Sequence, residues 1–147
     1  MKINKLAETE KAYIAGLFDG EGTVDYARRW ERRKKNGKKY RMWRISSSVA
    51  MTDKYVIEYL HETLGFGTVV PIKVPKGMKP QWRWRCTFRD SLQLAKLLWP
   101  YAQVKLHKFE QILDHYADMD PTKKKHFPSA QIIYLHERRN QVHHEKK

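Results

Sequence analysis

Two hydrophobic periodicities divide this chain. From Thr9, which fits an N-cap, to Gly20 the chain reads as an apolar helix with two small residues, Ala15 and Gly16, in its middle. From Gly22 the period drops to two. A strand to about Arg33, a turn over 34–39 pivoting on Asn36-Gly37, and a returning strand from Tyr40 to Met51 predict a long hairpin. Asp53 opens a second helix that Gly65 and Gly67 stop. Thr68 to Val74 and Gln81 to Phe88 predict a second hairpin around Lys76-Gly77. Helices over Asp90–Trp99, Val104–Tyr116 and Ser129–Val142 follow, with a break at Pro100. The order α-β-β-α-β-β-α-α-α predicts an α+β fold: a four-stranded antiparallel sheet with helices packed on one face.

Alternation also assigns faces. In the first strand Val24 and Tyr26 are expected toward the helices. Thr23, Asp25, Ala27, Arg29, Glu31 and Arg33 then lie on the open face. In the second strand Trp43, Ile45 and Val49 point inward, whereas Met42, Arg44, Ser46, Ser48 and Ala50 point outward. The fourth strand alternates most cleanly: Trp82, Trp84, Cys86 and Phe88 share one side, and Arg83, Arg85, Thr87 and Arg89 the other. In the third strand, Val70 and Ile72 fall on the open face. The five tryptophans read as core packing, with Trp30 and Trp82, near strand ends, as the two candidates for nucleic-acid contact.

At 147 residues the chain reads as a single domain over 1–147, with a core at about 9–116 and a basic C-terminal segment over 117–147. Its formal net charge of +14 implies a polyanionic partner, most simply nucleic acid. The charge is concentrated: between Arg28 and Arg44 there are ten Lys or Arg and one acid, Glu31. An Arg-rich open sheet face suits a β-ribbon in the DNA major groove, where guanidinium groups read guanine edges. Lys123, Lys124 and Lys125 suit the phosphate backbone. The single cysteine, Cys86, can form no intrachain disulfide, which fits a reducing intracellular compartment with access to DNA. The seven histidines are scattered and read as solvated or backbone-contacting. No apolar run approaches the roughly 18 residues of a membrane span, so no membrane partner is expected.

The first helix carries the chemistry. A glycine within a helix costs about 1 kcal/mol relative to alanine, so Gly16 implies a close packing partner. Glu21 sits where the helix stops, on the unfavourable side of the helix dipole, and a divalent cation would relieve it. The nine residues Ile14-Ala15-Gly16-Leu17-Phe18-Asp19-Gly20-Glu21-Gly22 resemble the LAGLIDADG motif of homing endonucleases. Ala15, Gly16, Leu17, Asp19 and Gly22 match it letter for letter, and Glu21 stands in place of the motif's metal-binding acid.

The resemblance implies a saddle-shaped sheet and a site-specific endonuclease. Such an enzyme hydrolyses both strands of a long, near-palindromic double-stranded DNA. It implies Mg²⁺, or another divalent cation such as Mn²⁺, held by Glu21 and the backbone carbonyl of Gly20. Lys105, in the run Pro100-Tyr101-Ala102-Gln103-Val104-Lys105, is similar to the family lysine that acts near the attacking water. The motif occurs once, so the resemblance implies a homodimer in which Ala15, Gly16, Phe18 and Asp19 meet a second copy. Asp19 is expected to brace the helix end rather than bind metal. Arg29, Arg33, Arg44, Ser46, Ser48, Arg83 and Arg85 become the DNA-binding set of the sheet. Met51 stands where relatives carry a water-ordering Gln or Asn, which leaves Ser48 or Thr52 for that task. Two alternatives use the same scaffold: an RNA maturase with intron RNA as partner, and a DNA-binding protein that does not cleave. A general RNA-binding protein without sequence preference is a third.

Overall fold

The computed structural model of the chain describes residues 6–119. Lys123, Lys124, Lys125 and the helix expected over 129–142 lie outside the described residues. Eight elements follow in order: α1 (Glu8–Glu21), β1 (Gly22–Arg32), β2 (Lys39–Met51), α2 (Lys54–Leu64), β3 (Thr68–Ile72), β4 (Gln81–Thr87), α3 (Arg89–Leu98) and α4 (Leu106–Met119). The strands form one antiparallel sheet in the order β1-β2-β4-β3. The α+β fold and the helix-covered sheet are as the alternation predicts. Pro71 lies on β3, an edge strand, where a missing amide donor is tolerated.

Local chemistry sets the element ends. α1 begins one residue before Thr9, with Ala7 as its cap. Ala7 has no side-chain acceptor, and the carboxylate of Glu10 instead reaches back to accept the Ala7 N–H at 3.1 Å. Thr9 is therefore inside the first turn. α2 follows the expected form: Asp53 accepts from the Val56 N–H at 3.4 Å, and Gly65 closes the helix at φ 75°.

Gly22 ends α1 for a different reason from the turning freedom its position suggests. Its φ is −81°, open to any residue. A Cβ there would stand 2.6 Å from Phe18 Cδ1 and 2.7 Å from the Phe18 backbone. The glycine permits close approach of β1 to the helix end.

The core lies between the helices and one sheet face. Trp84 is fully buried and meets Phe18 edge to face at 5.9 Å, while its indole N–H donates to the Phe66 carbonyl at 3.1 Å. Phe109, Leu60 and Leu98 are also fully buried. Gly67 passes so close that an added Cβ would lie 2.7 Å from the Trp84 ring.

β4 stops at Thr87, so Phe88 does not extend the apolar face as alternation predicts. It turns the chain into α3 at φ 50°, donates its N–H to the Ile45 carbonyl at 2.9 Å, and leaves its ring 42% exposed. A bulky residue at positive φ carries backbone strain. Among the described residues no helix is long and apolar enough to cross a membrane.

Among the described residues, helix cover on the hairpin reaches as far as an aromatic cluster. His115 of α4 packs against Trp43 at 4.9 Å and Tyr26 at 5.6 Å, and its Nδ1 shares a 3.2 Å hydrogen bond with the Tyr26 hydroxyl. The sequence reading of the histidines as solvated misses this packed ring. Beyond it, from Arg29↔Met42 to Arg32↔Lys39, the paired residues are exposed apart from the half-buried Tyr40.

Candidate functional site

Asp19, two residues before the end of α1, accepts two backbone hydrogen bonds from the loop before α4: from Gln103 N at 2.9 Å and from Lys105 N at 3.0 Å. One carboxylate thus fastens the 103–105 segment to the end of α1. The Lys105 carbonyl in turn accepts from the N–H groups of Lys108 and Phe109, so Lys105 directly precedes α4, and Asp19 supplies negative charge to that helix's positive end. This is the bracing role expected of Asp19, and it is exerted within the chain.

The pin ties the start of α4 to the end of α1, and each of these helix ends carries a charge that its own helix disfavours. Glu21 is exposed at the negative end of α1, and Lys105 is half-buried at the positive end of α4. Neither placement helps its own helix, and such local conflicts mark functional positions. Gly20 is exposed, with open space around its Cα.

Among the described residues no group of three His, Cys, Asp or Glu could enclose a metal. One carboxylate and one carbonyl, those of Glu21 and Gly20, could supply only part of a ligand set. That suits a hard cation such as Mg²⁺ that takes its remaining oxygens from water and phosphate, and it does not suit an all-protein cage.

Glu21 leads directly into the open sheet face. The register places Thr23 beside Ser48, and Ser48 beside Arg85, which pairs with Thr68. The next row is Asp25, Ser46 and Thr87; then come Ala27 with Arg44, and Arg29 with Met42. Arg83 lies between Ala50 and Val70. Arg29, Arg44 and Arg83 are exposed and Arg85 and Ser48 half-buried, whereas Ser46 is only 9% exposed. Arg33 falls just past β1 and stacks on Tyr40 at 5.4 Å. The sheet thus gathers its expected polar set on one surface. Val70 and Ile72 share that surface, as alternation predicts.

Met51 does not. It pairs with Trp82 on the helix side and packs against the core, so it is not the open-face counterpart of a water-ordering side chain. Ala50 holds the open-face position, and Thr52 is exposed just beyond.

Two interface expectations are corrected. Ala15 and Phe18 are 0% exposed in the chain's own core and cannot meet a second copy. The exposed side of α1 instead carries Ala12, Gly16 and Gly20, one helical turn apart, with Tyr13 beside them.

On the reverse face of the hairpin, sequence reasoning singled out Trp30 but missed the arginines beside the rings. There Trp30 is 65% exposed with the Arg41 guanidinium 5.4 Å from its ring, and Arg28 lies 5.6 Å from the Trp43 ring. Trp82 is half-buried and carries Lys54 at 5.7 Å. Cys86 has no place in the chemistry. Burial pushes its thiol up to about 12, against the pull of a hydrogen bond with Ser91.

No protein-family profile and no curated protein matches the chain. Solved structures do. The homing endonuclease I-CvuI, in complex with the I-CreI target and magnesium with its DNA uncleaved, superposes with a TM-score of 0.56 at 16% identity. The match covers 89% of this chain and 94% of that one. The archaeal intron-encoded homing endonuclease I-Vdi141I, complexed with DNA, gives 0.52 at 14% identity over 87% and 92% of the two chains. The I-SmaMI LAGLIDADG homing endonuclease bound to cleaved DNA gives 0.56 at 18% identity, over 74% of this chain and 36% of its own. The chain therefore has the fold of the LAGLIDADG homing endonucleases, as the motif at Ile14 to Gly22 implies.

Proposed function

We propose that this chain is a site-specific DNA endonuclease of the homing type, acting on double-stranded DNA as a homodimer with Mg²⁺ or a similar divalent cation. The observation that carries the reading is Glu21, exposed at the end of α1 and leading into an arginine-bearing sheet face, with Lys105 fastened to the same helix end through Asp19. The solved structures of this fold that are bound to DNA support it.

Glu21 and the Gly20 carbonyl would hold the cation, whose chemistry is to neutralise phosphoryl charge and make a bound water more acidic. The chain's own groups do the rest. The sheet holds the duplex by its phosphates and bases, and Lys105 offers a cation to charge developing in the transition state. Asp19 keeps Lys105 in place. A single chain brings one such acid. Packing of the Ala12-Gly16-Gly20 side of α1 against the same side of a second copy would bring two Glu21 groups toward one axis, one for each DNA strand. The setting is an intracellular, reducing compartment with access to DNA.

The test selects a target from a fully randomised duplex library and incubates it with wild type and Glu21→Gln in Mg²⁺ or Mn²⁺. Wild type is expected to cut both strands. Glu21→Gln is expected to bind within about threefold of wild type and to lose cleavage by roughly 10³-fold or more, as expected for a group acting in the transition state. If wild type binds a preferred site and never nicks it in either metal, the enzyme reading fails in favour of a binding protein or an intron-RNA maturase.

A further inference from the structure

The open sheet face carries an acid where a polyanion is expected to dock. Asp25 Oδ2 lies 3.3 Å from Arg29 Nη2 and 3.7 Å from Arg44 Nε. The convergence depends on Ala27, which stands between Asp25 and Arg29 on the same face and directly opposite Arg44. Its methyl group leaves room for both arginines to fold toward one carboxylate. Asp25 is about one quarter exposed, at 28%, and both arginines are about half exposed. Surface ion pairs like these add little stability, so folding gives weak grounds for an acid here. Against a phosphate backbone a lone carboxylate is repulsive.

We infer that Asp25 determines sequence specificity: it fixes the guanidinium groups of Arg29 and Arg44 toward base edges and away from phosphates. The inference rests on the DNA-binding reading above. An arginine on a flexible stem is drawn to the nearest phosphate, which carries no sequence information. Arg44 engaged through Nε keeps its two terminal nitrogens free, the pair that can address guanine O6 and N7. Asp25 also removes one unit of positive charge from the cluster, which weakens its hold on DNA of any sequence. Discrimination rises while non-specific affinity falls.

The experiment compares wild type with Asp25→Asn and Asp25→Glu. Each is tested on the selected duplex and on random-sequence duplex across a salt series, with thermal unfolding as a folding control. Asp25→Asn should bind random duplex more tightly, by roughly tenfold at 0.1 M salt for each phosphate newly engaged, with the salt slope steeper by about 0.9 for each. It should lose roughly tenfold to hundredfold of discrimination at the base pairs read by Arg29 and Arg44. Asp25→Glu should restore part of both. A general structural defect would weaken binding to both duplexes instead. If wild type shows a clear site preference and Asp25→Asn keeps it, with an unchanged salt slope, Asp25 has no such role and the endonuclease reading stands. If wild type shows no site preference, both readings fall.

Discussion

The β1–β2 pair runs through two environments. Near Glu21, the strands are covered on one side by helices: Val24, Ile45 and Val49 are buried there, while Thr23, Asp25 and Ser48 face outward. Past the His115 cluster the same two strands keep the same register, yet residues on both faces are exposed. Arg28, Trp30, Arg32, Lys39 and Arg41 occupy the positions that would be core one turn of the alternation earlier. Alternation alone describes both halves. What separates them, among the described residues, is the helix packing on the first half, and the lesson is that a strand's inner face becomes a core only where something packs on it.

Substitutions of tryptophan should separate the halves most sharply. Trp84→Ala should cost about 3–5 kcal/mol, since it empties the centre of the covered half and orphans the Phe66 carbonyl. Trp30→Ala, with its ring 65% exposed, should stay within about 0.5 kcal/mol. Urea unfolding of both checks this, and an equal cost for Trp30 would mean that the hairpin is part of the cooperative core.

Charge should behave in the opposite way. Replacing Arg28, Arg32 and Arg41 with Gln should leave the thermal midpoint nearly unchanged. It should lower the magnitude of the salt slope of DNA binding by about 0.9 for each phosphate that is no longer neutralised. An unchanged slope would show that the reverse face takes no part in binding.

An effect confined to high pH is expected from Cys86, whose thiol burial raises from 9.0 to about 12. The unfolded thiol therefore loses its proton first, and the folded state holds more protons between these values. The stability this confers is complete below about pH 9 and is lost as pH rises from 9 to 12. Denaturant unfolding across that range should show a steeper decline for wild type than for Cys86→Ala. Parallel curves would place Cys86 in contact with solvent.

Much of this molecule is legible in sequence, because its signals are local. The Asp53 cap, the Gly65 stop, the Asn36-Gly37 turn and the Trp82-Trp84-Cys86 alternation each act over a few residues. The expectations that fail share a cause. The motif points Ala15 and Phe18 at a second copy, because a motif records which residues occur and not which side of the helix the rest of the chain covers. Alternation carries β4 on to Phe88, whereas the strand ends one residue earlier, at a backbone turn that only the entry to α3 requires.

The sequence by itself determined the alternation of elements, the basic open face and the acid at the end of the first helix, since period, charge and helix-stop residues are read along the chain. Tertiary structure alone decided that Asp19 reaches Lys105 across 86 positions, that Asp25 gathers two arginines over Ala27, and that Gly16 and Gly20 rather than Ala15 and Phe18 face outward. Each of those facts depends on which surfaces the fold brings within a few ångströms, and no local preference encodes that distance.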